Sequence, residues 1–178
     1  LEQSPADGSS FTVEISAMKG KDVQVIRIDE HITAVEDGEK FQIYISGITP
    51  KPIHANAYGE SKDVLEKTRK ALEKAEAELK RLGKINPQAI LDYRQVVRLW
   101  FYQNRILQND PNGKQRYQQL NDARYDYFTT SHGGKAIPFG EGLIEGANSE
   151  NPFWPASTGI GMLRGSMVME TMAIMPKN

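Results

Sequence analysis

Three runs within the first 48 residues alternate hydrophobic and polar side chains with a period of two, which is typical of β-strands with one buried face. The alternation covers residues 11–15, the β-branched run 22–29, and residues 41–48. Turn-forming dipeptides, Gly20-Lys21 and Asp37-Gly38, separate these runs, and residues 31–35 continue or bend the second run. The pattern predicts an N-terminal antiparallel β-meander.

The period changes after a connection at residues 47–60 that is interrupted by glycine and proline. Apolar and small side chains then recur at alternating steps of three and four, at Leu65, Thr68, Leu72, Ala75, Leu79 and Leu82. Charged residues fill the other positions, so the spacing predicts an amphipathic helix. Ser61 is its predicted N-cap, and Gly83 is its predicted C-terminal stop.

A second helix is predicted from Asn86-Pro87, a capping residue followed by a proline at the first helical position. Its apolar positions again step by three, four or seven, at Ile90, Tyr93, Val97, Trp100 and Leu107. Because residues 83–86 form a short link, the two helices should be antiparallel. We expect Leu65, Leu72, Leu79, Val97 and Trp100 to form one buried seam between them.

The C-terminal third begins with a turn cluster at residues 110–113 and a shorter third helix marked by Tyr117, Leu120, Arg124 and Tyr127. Eight of the 15 glycines fall between Gly133 and Gly165, which favours a loop. Alternation then predicts a final strand through Met167, Met169, Thr171, Ala173 and Met175. The predicted fold class is therefore α+β, with the last strand returning to the sheet. We expect one domain over residues 1–178, with a linker-like or disordered start at residues 1–10.

Composition narrows the function classes. The 178 residues contain 39% hydrophobic and 25% charged residues, which is typical of a folded globular protein. A net charge of -1 provides no overall field for nucleic acid, and no apolar run approaches the roughly 18 residues that a transmembrane helix needs. Cysteine is absent, which excludes disulfides and thiolate sites. The start at Leu1 favours removal of an upstream segment, so a periplasmic or secreted location is expected, with a cytoplasmic one still open.

The most reactive-looking segment contains Ser131, His132 and Lys135 around two glycines. It lacks the spacing and following helix of a phosphate-binding loop, and a flexible turn is the favoured interpretation. Glu141 and Glu145 could share acid–base work, but the glycines around them favour a solvated loop over a rigid catalytic pair.

Two large aromatic residues, Phe153 and Trp154, lie between prolines that fix the backbone. They can be offered to a protein partner, or they can fold onto the sheet as a local core. The predicted partner-binding residues are Phe153, Trp154, His132, Lys135 and Phe139.

Five of the six methionines cluster near the C-terminus, at Met162, Met167, Met169, Met172 and Met175. Thioethers bind Cu(I), so Met167, Met169 and Met172 are the alternative metal ligands. A strand, however, directs Met172 away from Met167 and Met169, which favours core packing. The three histidines are scattered, and we expect no metal and no cofactor.

These observations lead to a non-catalytic protein-binding domain of the cell envelope as the first hypothesis. Its partner would be another protein, such as a toxin or an envelope component, and the chain would act as an inhibitor or immunity-type protein. The alternative is a small hydrolase-like enzyme that uses Ser131, His132 and Lys135 with Glu141 or Glu145. A second alternative is copper binding through the methionines.

Overall fold

The computed structural model describes residues 19–20, 22–129, 155–162 and 165–177. Within these ranges it contains six strands, two α-helices and a short 3-10 helix at Tyr93–Gln95. The strands are β1 (Gln24–Arg27), β2 (Ile32–Glu36), β3 (Lys40–Ile48), β4 (Val96–Asn104), β5 (Ala156–Met162) and β6 (Val168–Pro176). The helices are α1 (Ala57–Arg81) and α2 (Arg116–Thr129).

The six strands form one sheet in the order β1-β2-β3-β6-β4-β5. All neighbours are antiparallel except β4 and β5, which run parallel. The last strand therefore inserts between β3 and β4 at the centre of the sheet. This arrangement confirms the predicted α+β class and the return of the C-terminal strand to the sheet.

The predicted meander is present where the structure describes it. The turn at Asp37-Gly38 joins β2 to β3, and Gly38 has a φ of 94°, which favours glycine. The second predicted run divides into β1 and β2 because the Asp29 carboxylate accepts hydrogen bonds from the backbone N–H groups of His31 (2.7 Å) and Ile32 (2.8 Å). The strand predicted at residues 11–15 lies outside the described residues.

The first predicted helix is confirmed, but it begins earlier than expected. Its N-cap is Asn56, whose side chain accepts a hydrogen bond from the N–H of Gly59 at 2.9 Å. Ser61, the predicted cap, is buried within the helix and donates to the carbonyl oxygen of Ala57. Gly83, with a φ of 65°, follows the helix as predicted.

The prediction of a second helix at residues 90–107 is wrong, because most of this segment forms β4. Leu99, Phe101 and Gln103 alternate as buried residues, and a register shift between Val96 and Arg98 offsets the start of the strand. That offset produces helix-like spacing in a run whose β-branched and aromatic side chains favour a pleated, half-buried surface.

The prediction of a buried seam between two helices, formed by Leu65, Leu72, Leu79, Val97 and Trp100, is wrong for the same reason. Val97 is 40% exposed on β4, and Trp100 is half-buried on the same strand. Leu65, Leu72 and Leu79 are fully buried, in one core cluster with alternate residues of β2, β3 and β6. The helix that packs against α1 is α2, which the sequence predicted as the third helix.

Residues 156–162 were predicted as loop because of their glycines, and they form β5 instead. The reason is close packing: a Cβ on Gly159 would lie 3.0 Å from the Tyr117 ring and 3.1 Å from the Ile106 side chain. Glycine here allows the start of α2 to approach the strand. No helix in the described part of the chain carries an apolar stretch long enough to cross a membrane.

Candidate functional site

A polar cleft of about 280 Å³ lies where both helices begin. It combines the first turn of α1, the end of β4, the loop that follows, the first residue of α2 and the segment before β6. The described residues that line it are Glu60, Asn104, Arg105, Gln108, Asn109, Asp110, Pro111, Arg116 and Gly165. Seven of these nine have polar or charged side chains, so the cleft suits a polar ligand.

Arg116, the first residue of α2, holds the walls of the cleft together. Its Nη1 donates to Asp110 Oδ1 and its Nη2 donates to Glu60 Oε2, both at 2.6 Å. Its Nε donates to the backbone carbonyl oxygen of Asn104 at 2.9 Å. We call Glu60, Asp110 and Arg116 the Arg116 cluster. Their side chains are only 15%, 7% and 13% exposed, so these charges are shielded from water.

Asp110 also fixes the start of α1. Its Oδ2 accepts hydrogen bonds from the backbone N–H of Ala57 (2.7 Å) and from Gln119 Nε2 (2.9 Å). The predicted turn at residues 110–113 is present, with the N–H of Gly113 bound to the carbonyl oxygen of Asp110. A carboxylate at a helix N-terminus is favoured by the helix dipole and satisfies an N–H group that lacks a helical partner.

A second contact joins the two helices near the cleft. The hydroxyl of Tyr58, the second residue of α1, donates to Asp126 Oδ2 of α2 at 2.6 Å. The hydrogen bond to this carboxylate, together with burial, raises the pKa of Tyr58 to about 12. The phenol therefore stays protonated at neutral pH and remains a donor. The helix pair that frames the cleft is thus fixed at two points.

Arg105 differs from Arg116 in both backbone and side chain. It has a φ of 52°, the left-handed region that side chains other than glycine rarely adopt. Its N–H binds the carbonyl oxygen of Met162, and its own carbonyl oxygen accepts from the N–H of Gln108, which fixes this turn. The Arg105 side chain is exposed and makes no ion pair or hydrogen bond with a residue in the described ranges. It is therefore a cation at the cleft whose charge is available to a ligand.

The residues that the sequence singled out lie elsewhere. Those of the predicted reactive segment and partner-binding loop fall outside the described residues: Ser131, His132, Lys135, Phe139, Glu141, Glu145, Phe153 and Trp154. Their predicted roles stay predictions.

The methionines proposed as copper ligands are described. Met167 and Met169 are fully buried; the Met169 sulfur accepts a hydrogen bond from Thr68 of α1 at 3.6 Å, and the Met167 sulfur lies 3.7 Å from the Ser61 hydroxyl oxygen. Met172 belongs to the opposite face of β6 and is half-buried. Among the described residues, no three histidine, aspartate or glutamate side chains are grouped to hold a metal ion.

Sequence reasoning identified the turn at residues 110–113 but not the cleft. The available signal was the density of amide and charged side chains after the aromatic part of β4, in Gln103-Asn104-Arg105 and Gln108-Asn109-Asp110. Because residues 90–107 were interpreted as helix, these side chains did not appear to converge with the first turn of α1. The incorrect helix prediction for this segment is therefore the reason that the cleft was not predicted.

No protein-family model matches the chain, and no curated protein matches it. Solved structures resemble it at low sequence identity. A member of the YjgF protein family from Neisseria meningitidis is 16% identical with a TM-score of 0.46, over 86% of this chain and 95% of that one. A member of the YjgF/YER057c/UK114 family from Mycobacterium tuberculosis is 14% identical with a TM-score of 0.44, over 79% and 82%. RidA from an Antarctic Psychrobacter is 14% identical with a TM-score of 0.40, over 90% and 91%.

These comparisons correct the first functional hypothesis. The three solved structures named above are YjgF-family and RidA proteins, and none of them is an immunity protein or an envelope inhibitor. The prediction of an inhibitor or immunity-type domain of the cell envelope is therefore wrong. The similarity concerns the fold, and the chemistry of this chain has to be argued from its own residues.

Proposed function

We propose that this protein binds a small, polar ligand with an anionic group in the cleft around Arg105 and Arg116. The observation that carries the proposal is the pairing state of the two arginines. Arg116 already binds two carboxylates, whereas Arg105 faces the same cleft with no carboxylate partner among the described residues. A guanidinium offers parallel N–H donors that match carboxylate and phosphate groups.

The surroundings of Arg105 support an anionic group at this position. Both helices begin at the cleft, and helix N-termini carry a partial positive charge. The side-chain amides of Asn104, Gln108 and Asn109 add donors and acceptors that can orient a polar ligand. A volume of about 280 Å³ lies just below the roughly 300–1,000 Å³ typical of small-molecule sites, so a small metabolite fits better than a macromolecule.

The arrangement favours binding over nucleophilic catalysis at this site. Among the residues that the structure describes, none that lines the cleft is a serine, threonine, lysine or histidine able to act as a nucleophile or neutral base. Its two carboxylates are engaged by Arg116. The polar groups therefore serve recognition in the arrangement that the structure describes.

Isothermal titration calorimetry at low ionic strength tests this proposal, with succinate and inorganic phosphate as probes. We expect Arg105→Gln to weaken binding of the better probe at least about tenfold, because a charge-assisted hydrogen bond contributes roughly 1.5–3 kcal/mol. The matched control is Arg81→Gln, which removes an equal charge from the exposed C-terminal turn of α1. Unchanged affinity in Arg105→Gln, or no binding of succinate, phosphate or 4-aminobutanoate at millimolar concentration, would overturn the proposal.

A further inference from the structure

The two carboxylates of the Arg116 cluster differ in the number of hydrogen bonds that they accept. Asp110 accepts from Arg116 through Oδ1, and from the Ala57 N–H and Gln119 Nε2 through Oδ2. Glu60 accepts from Arg116 through Oε2, while its Oε1 has no donor among the described residues. An ionised carboxylate has about four acceptor positions, so Glu60 retains capacity that Asp110 has used.

The net charge of the Arg116 cluster also favours a cationic ligand group next to Glu60. Two carboxylates share one guanidinium, so the Arg116 cluster carries one surplus negative charge. The Glu60 side chain is only 15% exposed, and water neutralises a shielded charge poorly. A positively charged ligand group next to Glu60 Oε1 would remove both the surplus charge and the unused acceptor. An entirely anionic ligand would leave the surplus in place and be repelled by it.

Arg105 supplies the opposite charge in the same cleft. Among the described residues that line the cleft, the two arginines balance the two carboxylates, but Arg105 can bind an anionic group and Glu60 a cationic group. A neutral, dipolar ligand can use both. This charge pattern is complementary to a molecule with one anionic group and one ammonium group.

We infer that the cleft selects a small zwitterion, the charge pattern of a free amino acid, with its anionic group on Arg105 and its ammonium group on Glu60. This inference rests on the proposed function and specifies its ligand class. Glu60 is then a residue that determines specificity, while Asp110 and Arg116 position it.

Three four-carbon probes separate the charge patterns at pH 7: 4-aminobutanoate as zwitterion, succinate as dianion and butane-1,4-diamine as dication. Titration of the full chain should show 4-aminobutanoate binding at least tenfold more tightly than either other probe. Glu60→Gln should remove this preference, weakening 4-aminobutanoate at least tenfold while succinate binds as well as before or better. The control Glu78→Gln, on the exposed end of α1, should change none of the three affinities.

Because Glu60 binds Arg116, Glu60→Gln could also disturb the fold. Arg105→Glu provides a second test, since Arg105 is exposed and unpaired in the described structure. This charge reversal should transfer the preference to butane-1,4-diamine. If succinate binds through Arg105 and 4-aminobutanoate binds no better, the zwitterion inference fails and anion binding stands. If no probe binds, both fail. A Glu60→Gln variant that keeps its preference for 4-aminobutanoate would also overturn the inference.

Discussion

A cluster of charged residues with a shielded carboxylate lies near each end of α1, and the two clusters differ in charge and exposure. At the N-terminal end lies the Arg116 cluster. At the other end, Glu36 of β2 binds Lys84, just beyond α1, at 2.8 Å and also binds Lys177; we call these three residues the Glu36 cluster. Since α1 has 25 residues, its ends are about 37 Å apart at 1.5 Å per residue.

The difference lies in the sign and exposure of the surplus charge. In the Glu36 cluster, one carboxylate faces two lysines that are 30% and 38% exposed, so water can neutralise the extra positive charge. In the Arg116 cluster, the surplus is negative and lies on carboxylates that are at most 15% exposed beside a cleft. A charge cluster thus becomes a candidate binding site when its surplus is shielded from water and open to a ligand.

The largest expected effect that follows from this comparison is that of Arg116→Met. Without the guanidinium, Asp110 and Glu60 keep two shielded charges without a cation. Removing one partner of a buried ion pair costs about 3–5 kcal/mol, so we expect a decrease of that order in the free energy of unfolding. Urea denaturation at pH 7 measures it.

Arg81→Met is the control, because it removes an arginine from a solvent-exposed pair with Glu78. The denaturation midpoint of this control should stay within experimental error of the wild type. Equal effects of the two substitutions would show that the Arg116 cluster is no more shielded than an ordinary surface pair.

Glu36→Gln should have a smaller effect, and one that depends on pH. Hydrogen bonds from Lys177 and then from Lys84 lower the pKa of Glu36 below its ordinary value of 4.5. A lowered folded-state pKa stabilises the protein fully above the unfolded-state value, and this contribution is lost as the pH falls through the folded-state pKa. We expect Glu36→Gln to cost about 1–3 kcal/mol at neutral pH, since the lysines that remain can be solvated.

The pH profile distinguishes this interpretation from a loss of packing. Below pH 4.5 the difference in unfolding free energy between wild type and Glu36→Gln should decrease, as the wild-type carboxyl becomes protonated. Unfolding curves between pH 3 and 7 provide the measurement. A difference that stays constant across this range would mean that the charge of Glu36 does not stabilise the fold.

Local patterns predicted the fold well where packing agreed with them. The stripe through Leu65, Leu72 and Leu79 gave α1, and the alternation through Met169 and Met175 gave β6. The pattern failed in β4, where the offset between Val96 and Arg98 imitated a helical period. It failed again in β5, where Gly159 is required by the approach of Tyr117 rather than by a turn. Both failures come from tertiary neighbours that a local window does not contain.

The candidate site could not be predicted for a related reason. Glu60 and Arg116 are 56 residues apart, and neither belongs to a motif. What brings them together is the packing of α1 on α2 and the path of the loop after β4. Residues 131–145 attract attention in the sequence because serine, histidine, lysine and glutamate side chains can each take part in catalysis. The cleft, in contrast, is lined by residues of separate elements that form no sequence motif.

The smallest expected effect concerns Arg105. This exposed arginine lies beside the Arg116 cluster and makes no ion pair with a described residue, whereas both lysines of the Glu36 cluster bind its carboxylate. Its left-handed backbone, with a φ of 52°, costs roughly 1–2 kcal/mol for a residue with a Cβ, and glycine avoids this cost. Arg105→Gly should therefore be more stable than Arg105→Ala by about 1 kcal/mol, although glycine's greater freedom in the unfolded chain offsets part of the gain. Thermal unfolding of the two variants measures the difference, and both should lose the binding that depends on the guanidinium.

If Arg105→Gly binds succinate and 4-aminobutanoate as the wild type does, the strained arginine is not the ligand-binding cation. If it unfolds at the same temperature as Arg105→Ala, the backbone at this position is not strained in solution. A gain in stability together with a loss of binding would show that the protein retains a strained residue here for the sake of the cleft.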